Sequence, residues 1–207
     1  MSEDLESDLA RYYDQEAAAR ANRSPDPQRV ARRDEFVALL AAERRATLVE
    51  VGIGPGRDAA ALTACDTRVV FGVDLSVAHA RLAHANGSHA AVASVYALPF
   101  ADASCDAGWS MSTLVHVPND RFDDAMRELG RVVRPGSPVG LGFWAAAVDT
   151  EEVNERDTIV PKRFFSRRTE DRLREMLGPH GRIERFDTWP GIGTTWTYQY
   201  VVVRTHE

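Results

Sequence analysis

The stretch from Leu48 to Asp58 reads LVEVGIGPGRD and indicates a strand that turns sharply into a helix. Residues 46–51 are mostly apolar or β-branched, which is typical of a buried strand. Three glycines then follow within five residues, at Gly52, Gly54 and Gly56. Glycine permits unusual backbone angles and lets a ligand approach the main chain closely. The sequence therefore predicts a ligand-binding turn at this place.

Strand and helix patterns alternate on the C-terminal side of this turn. The predicted helices span 57–64, 76–85 and 120–133, and the predicted strands span 46–51, 68–73, 90–94, 106–110 and 138–144. Such alternation is typical of a parallel sheet covered by helices on both faces. We therefore expect a doubly wound, Rossmann-like α/β fold.

The two ends of the chain read differently. A helix at 169–177 precedes two strands at 182–189 and 195–204, whose short connection fits only an antiparallel hairpin. At the other end, helices at 2–22 and 27–43 are separated by a Ser-Pro-Asp-Pro break. We predict a helical cap over residues 1–45 and a sheet domain over 46–207.

Composition narrows the class of protein. The 207 residues are 44% hydrophobic and 27% charged, with a formal net charge of −6, which argues against a nucleic acid held through its phosphates. No apolar run is long enough to span a membrane, and the acidic start does not resemble a signal peptide. Cys65 and Cys105 cannot form a disulfide framework. We expect a cytoplasmic monomer or homodimer, and the abundant arginine with a single lysine favours a bacterial source.

The nature of the ligand follows from charge at the turn. A dinucleotide fingerprint would place its third glycine at Arg57, and a phosphate-binding loop would need a Gly-Lys-Ser/Thr sequence that is missing. Glu50 would repel a pyrophosphate but suits a sulfonium or ammonium group. Asp74 ends the next strand, where a carboxylate can accept both hydroxyls of a ribose. An adenosyl-sulfonium amino acid fits these residues better than NAD.

Five blocks in order carry a resemblance to a known family. They are Glu50–Gly56 (EVGIGPG), Gly72–Ser76 (GVDLS), Ala97–Phe100 (ALPF), Cys105–Ser110 (CDAGWS) and Glu128–Gly136 (ELGRVVRPG). Their sequence resembles the class I S-adenosylmethionine-dependent methyltransferases of the small-molecule type. The resemblance implies a seven-stranded sheet, mostly parallel, with an antiparallel last strand.

The resemblance also implies the cofactor-binding residues. It places the three glycines around the amino acid part of S-adenosylmethionine, with Glu50 beneath that part. It places Asp74 on the ribose and the end of the fourth strand opposite the methyl group. These residues are Glu50, Gly52, Gly54, Gly56, Asp74, Leu75, Ser94, Val95, Ser110 and Met111. Where the family usually has an acidic residue before a small one, this chain has Ser94 and Val95. We expect the Ser94 hydroxyl and the Val95 backbone to bind the adenine there.

The methyl acceptor is expected to be a small metabolite, modified on oxygen or nitrogen. Transfer from a sulfonium depends mainly on positioning, and a base helps with some acceptors. His116, in the segment after the fourth strand, is the candidate base. Candidate acceptor-binding residues are Tyr12 and Tyr13 in the first helix, Trp144, and Arg163 in or beside an insertion at about 145–165.

No metal site is expected, and the function has two alternatives. The spacing of His79, His84 and His89 does not place them on one helix face, so we interpret them as surface residues. One alternative is an NAD(P)-dependent oxidoreductase, against which Glu50 and Arg57 both argue. The other is a protein that binds S-adenosylmethionine without catalysis.

Overall fold

A computed structural model of the chain describes residues 2–63 and 68–207. The predicted end of the 57–64 helix and Cys65 lie outside these residues. The helices are α1 (Ser2–Ala21), α2 (Pro27–Ala42), α3 (Arg57–Leu62), α4 (Val77–Ala85), α5 (Phe122–Val132) and α6 (Glu170–Leu177). The strands are β1 (Thr47–Val51), β2 (Val69–Asp74), β3 (His89–Val92), β4 (Ala107–Met111), β5 (Pro138–Ala145), β6 (Thr150–Val153), β7 (Phe164–Arg167), β8 (Gly181–Pro190) and β9 (Thr197–Thr205).

Seven of the strands form one twisted sheet in the order β3-β2-β1-β4-β5-β9-β8. Strands β1 to β5 pair in parallel, and β9 runs antiparallel to both of its neighbours. The strand order reverses between β1 and β4, where ligands bind in open α/β sheets. The predicted doubly wound, Rossmann-like fold with an antiparallel last strand is confirmed.

Alternating side chains along the central strands divide the core into two layers. Leu48 faces the layer that holds Phe36 of α2, whose ring lies 4.9 Å from that of Trp109. Val49 faces the opposite layer, which holds the apolar face of α5 beginning at Phe122. Both faces of the sheet are therefore covered, as an almost wholly apolar parallel strand requires.

The segment after β5 contains structure that the sequence analysis did not predict. Strands β6 and β7 pair antiparallel as a separate two-stranded sheet, with Thr150 opposite Arg167. Each strand has only four residues, and Glu151 and Glu152 of β6 are exposed. Strand β6 is short and polar and gives no alternating pattern, so the sequence analysis predicted no strand in the insertion.

Helix α1 is joined to the sheet domain by polar contacts. Its Asp14 carboxylate accepts hydrogen bonds from the Ser76 hydroxyl at 2.6 Å and from the Ala78 N–H at 2.9 Å, at the start of α4. The Arg57 guanidinium donates to main-chain carbonyls at the other end of α1, including that of Arg20 at 3.2 Å. Within the described residues, no helix is long and apolar enough to cross a membrane.

Candidate active site

A cavity of about 920 Å³ lies where β1, β2 and β4 end, and α1 forms one of its walls. Cavities of this size hold small molecules and cofactors. Six of the ten predicted cofactor-binding residues line it, namely Gly52, Gly54, Asp74, Leu75, Val95 and Met111. Tyr13 and His116 line the same cavity, so the predicted cofactor and acceptor positions share one space.

The glycine turn has the backbone that the sequence predicts. Gly52 has φ +78°, and a Cβ placed on it would lie 1.8 Å from Thr113 Oγ1, so no larger residue fits. Gly54 has φ +55°, and a Cβ on it would meet nothing within 4 Å. The Gly54 main chain therefore faces open cavity space, which fits a ligand that packs against the turn.

Asp74 ends β2 on the cavity wall. Its Oδ2 accepts from the Gly54 N–H at 2.8 Å and its Oδ1 from the Ser76 N–H at 2.9 Å. Each carboxylate oxygen can accept more than one hydrogen bond. These contacts fix the orientation of the carboxylate and leave it able to accept the two hydroxyls of a ribose, as predicted.

Glu50 lies beneath the glycine turn rather than on the cavity wall. Its side chain is buried, and its Oε2 has no hydrogen-bond partner among residues 2–63 and 68–207. Burial, and then the nearby Asp58 carboxylate, raise the pKa of Glu50 well above its usual value, while Arg29 acts in the opposite direction. An unpartnered buried carboxyl is costly, and a cationic group bound above it would lower this pKa again, so that carboxylate and cation stabilise each other. This placement fits the predicted role of Glu50.

Three other predicted cofactor residues do not reach the cavity wall. Gly56 has φ +83° and begins α3, where a Cβ would lie 3.2 Å from Ala83 of α4, so it permits close helix packing. The Ser110 hydroxyl donates to the Val51 carbonyl at 2.9 Å and joins β4 to β1. The Ser94 hydroxyl is bound to Glu6 of α1. A direct cofactor contact by these side chains stays a prediction that the geometry does not support.

His116 and Tyr13 meet at the other end of the cavity. His116 Nδ1 lies 2.6 Å from the Phe164 carbonyl oxygen, and His116 Nε2 lies 2.6 Å from the Tyr13 hydroxyl. A carbonyl only accepts, so Nδ1 carries the hydrogen. Burial lowers the pKa of His116 to about 3, which keeps the ring neutral, and Nε2 therefore accepts from the Tyr13 hydroxyl. The Tyr13 oxygen can accept a further hydrogen bond, and the Arg163 guanidinium lies close to it.

The remaining three acceptor candidates do not line the cavity. Arg163 forms two hydrogen bonds with the buried Asp157 carboxylate, at 2.8 and 2.6 Å, and its guanidinium lies 4.4 Å from the ring centroid of Tyr12. Trp144 packs edge-on against Tyr198, with centroids 4.9 Å apart. These contacts serve the packing of the insertion and of the C-terminal hairpin.

One histidine differs from the sequence interpretation. His84 and His89 are exposed, but His79 is only 2% exposed, so its assignment to the surface was wrong. It lines the cavity, and its Nδ1 lies 3.6 Å from Asp74 Oδ1. His79 begins the buried face of α4, three residues after the Ser76 cap, and that position was the available signal. No group of three potential metal ligands occurs among the residues described.

The central part of the chain matches a known protein family. The family model described as "Methyltransferase domain" matches residues 49–139, which include the glycine turn, Asp74 and His116. Residues 49–139 therefore form a methyltransferase domain, and the matches together support the class I S-adenosylmethionine-dependent methyltransferases. S-adenosylmethionine is accordingly its cofactor, and the glycine turn, the cavity and the orphaned Glu50 oxygen fit that molecule.

Two curated relatives extend the match of the methyltransferase domain. A malonyl-(acyl-carrier protein) O-methyltransferase of Pseudescherichia vulneris is 33% identical over 143 residues, covering 65% of this chain and 53% of that protein. The 27-O-demethylrifamycin SV methyltransferase of Amycolatopsis mediterranei is 29% identical over 117 residues, covering 53% and 42%. The chain thus spans about half the length of these relatives.

A solved structure shares the fold over most of both chains. The 1,6-didemethyltoxoflavin-N1-methyltransferase of Burkholderia thailandensis, solved with its substrate and S-adenosylhomocysteine, superposes with a TM-score of 0.66 at 19% identity. The alignment covers 89% of this chain and 92% of that one. At this identity the likeness concerns the fold of the methyltransferase domain alone.

Proposed function

We propose that the protein transfers the methyl group of S-adenosylmethionine to an oxygen or nitrogen atom of a small molecule. The observation that carries the proposal is one continuous cavity, which runs from the glycine turn at Gly54 to the Tyr13–His116 pair. Cofactor and acceptor must share such a space, because methyl transfer is an in-line displacement.

The cofactor end supplies position and charge. When bound, S-adenosylmethionine supplies an electrophilic methyl group on a sulfonium cation. The exposed main chain of Gly54 admits its amino acid part, and the Asp74 carboxylate accepts the ribose hydroxyls. A cationic ligand above the turn would favour the ionised form of Glu50, whose pKa burial raises in the free protein, and the two opposite charges would then stabilise each other.

The acceptor end supplies a path for a proton. The Tyr13 oxygen accepts a hydrogen bond from the O–H or N–H group of the methyl acceptor. The Tyr13 hydroxyl donates its own hydrogen bond to His116 Nε2. As the new bond to carbon forms, the acceptor's proton becomes acidic and passes to the Tyr13 oxygen, and the Tyr13 hydrogen passes to His116 Nε2. A histidine with a pKa of about 3 is a weak base, which suits an acceptor that becomes acidic during transfer.

Three segments enclose the acceptor. They are α1, the turn from Ser112 to Pro118 and the β6–β7 sheet, which contributes Glu151 and Phe164 to the wall. Because α1 covers the cavity, it excludes water from the reacting groups. The net charge of −6 supports a small-molecule acceptor over a nucleic acid. The proposal includes a cytoplasmic location and a monomer or homodimer.

The test is a methylation screen with isotopically labelled S-adenosylmethionine. Purified protein is incubated with pools of small oxygen and nitrogen nucleophiles, and mass spectrometry detects labelled methyl on an acceptor together with S-adenosylhomocysteine. We expect acceptor-dependent release of S-adenosylhomocysteine that the variant Gly54→Val abolishes. Tight binding of the cofactor with no labelled product in any pool would instead support the non-catalytic binding protein.

A further inference from the structure

The carboxylate of Glu6 lies on the cavity wall although it belongs to the N-terminal helix. Glu6 is half-buried and lines the cavity together with Leu75 and Val95. Its Oε1 is hydrogen-bonded to the Ser94 hydroxyl, which comes from the segment after β3. Two parts of the chain 88 residues apart therefore meet at this end of the cavity.

The hydrogen bonds of Ser94 show that Glu6, rather than Ser94, can accept a hydrogen bond from a ligand in the cavity. The Ser94 hydroxyl uses its single hydrogen on Glu6, because a carboxylate only accepts, and it accepts from the Tyr96 N–H at 3.1 Å. Ser94 itself does not line the cavity. The Glu6 carboxylate does, and its Oε2 accepts no hydrogen bond from any residue that the structure describes.

A free donor accompanies this acceptor. The Val95 N–H, next to Ser94, has no acceptor among the described residues, and the Val95 and Leu75 side chains offer apolar surface beside it. One edge of adenine presents a hydrogen-bond donor, the exocyclic amino group, beside an acceptor, the ring nitrogen N1. The wall offers the complementary pair.

We propose that Glu6 accepts the hydrogen bond of the adenine amino group, with Ser94 as its positioning residue and the Val95 N–H on the ring nitrogen. This proposal rests on the proposed function, since it deepens the recognition of the same cofactor. The adenine ring is then recognised by α1, the helix that also carries Tyr13. Binding of the adenine and closure of α1 over the acceptor are thereby linked.

The experiment compares two ligands that differ only at this edge of the base. Isothermal titration calorimetry measures the affinities of S-adenosylhomocysteine and of its deaminated analogue S-inosylhomocysteine, whose ring carries a carbonyl in place of the amino group and a hydrogen on N1, which the Val95 N–H disfavours equally in every variant. A carboxylate rejects that carbonyl, so we expect wild-type protein to prefer the adenosyl ligand by about 10- to 100-fold. In Glu6→Gln the side-chain amide can donate to the carbonyl, and the preference should fall at least about tenfold.

Asp8→Asn is the matched control. Asp8 lies two residues along α1, lines the same cavity and is paired with Arg11. This variant removes the same charge without touching Ser94, so it should keep the wild-type preference. An equal loss of preference in both variants would show a general effect of charge and would overturn the proposal.

Other outcomes separate this inference from the proposed function. An unchanged preference in Glu6→Gln overturns the role of Glu6 but leaves methyl transfer intact, whereas failure of wild-type protein to bind S-adenosylhomocysteine overturns both. If Glu6→Gln does not fold, Ser94→Ala is measured in its place, because it removes the hydroxyl that positions the Glu6 carboxylate. We expect its preference to fall about threefold, and an unchanged value contradicts the proposal.

Discussion

The two ends of the cavity are built in different ways. Around the positions proposed for the ribose and the amino acid part of the cofactor, Gly52, Gly54 and Asp74 come from the adjacent ends of β1 and β2. At the acceptor end, the wall consists of side chains from distant segments. Tyr13 and His116 are 103 residues apart, and His116 and Phe164 are 48 apart.

This difference separates what the fold determines from what can vary. Main-chain geometry at a glycine turn tolerates almost no substitution, because φ values such as +78° favour glycine. Side chains on α1 and on the β6–β7 sheet can change without disturbing the central sheet. Acceptor selectivity can therefore diverge while the cofactor end stays constant.

The largest effect is expected from filling the cofactor turn. Gly54→Val places a branched side chain in the space that the ligand must occupy, at a φ of +55° that disfavours L residues. We expect affinity for S-adenosylhomocysteine to fall by more than about 100-fold, measured by calorimetry. Gly193→Val is the control, since Gly193 has φ +68° and open surroundings in the β8–β9 loop. Near wild-type affinity in Gly54→Val would refute the site.

The next effect concerns chemistry at the acceptor end. Tyr13→Phe keeps the ring and removes the hydroxyl that passes the proton, so kcat should fall by about 100-fold or more. Affinity for S-adenosylhomocysteine should stay within about threefold. Tyr12→Phe is the matched control, because Tyr12 is buried outside the cavity. Equal kcat values for the two variants would show that Tyr13 takes no part in proton transfer.

A smaller effect is expected at the ribose position. Asp74→Ala removes the acceptor of two hydroxyls, and it should weaken binding of S-adenosylhomocysteine by about 1.5–3 kcal/mol. Asp34→Ala, an exposed carboxylate on α2, should leave binding unchanged. Because Asp74 also accepts from Gly54 and Ser76, thermal unfolding of both variants must accompany the titration. Unaltered affinity in a folded Asp74→Ala protein would contradict the ribose assignment.

The smallest effect is a pH dependence of stability. The pKa of His116 is lowered to about 3 in the folded protein and is near 6.5 in the unfolded chain. Between these values only the unfolded state binds the proton, so stability contributed by neutral His116 is present above pH 6.5 and is lost as pH falls.

Denaturant titration can isolate this contribution. From pH 6.5 to 5.5, wild-type protein should lose about 1 kcal/mol more unfolding free energy than His116→Gln, whose side chain does not titrate. Parallel pH profiles for the two proteins would mean that His116 is not buried in its neutral form.

Much of the fold could be predicted because its signals are local. Strand β1, the glycine turn and α3 are contiguous, and the apolar face of α5 from Phe122 to Val132 repeats at helical spacing. The β6–β7 sheet could not be predicted. Strand β6 is short, polar and exposed, and β7 is largely buried but has only four residues, two of them Ser166 and Arg167, so neither gives a strand pattern.

The candidate site divides in the same way. Sequence analysis singled out Gly54 and Asp74, whose proposed roles depend on a turn and on a strand end. It also singled out Tyr13 and His116 separately, but their hydrogen bond depends on how α1 packs, which no local pattern encodes. The contact of Glu6 with Ser94 is of this second kind.

Arg57 occupies the position where a dinucleotide fingerprint would have its third glycine, and its side chain holds the last carbonyls of α1. A glycine there would allow α3 and β1 to cross more closely, but it would leave the C-terminal end of α1 without its partner. Arg57, which takes the place of the third glycine of a dinucleotide fingerprint, therefore also holds the C-terminal end of α1, the helix that covers the cavity.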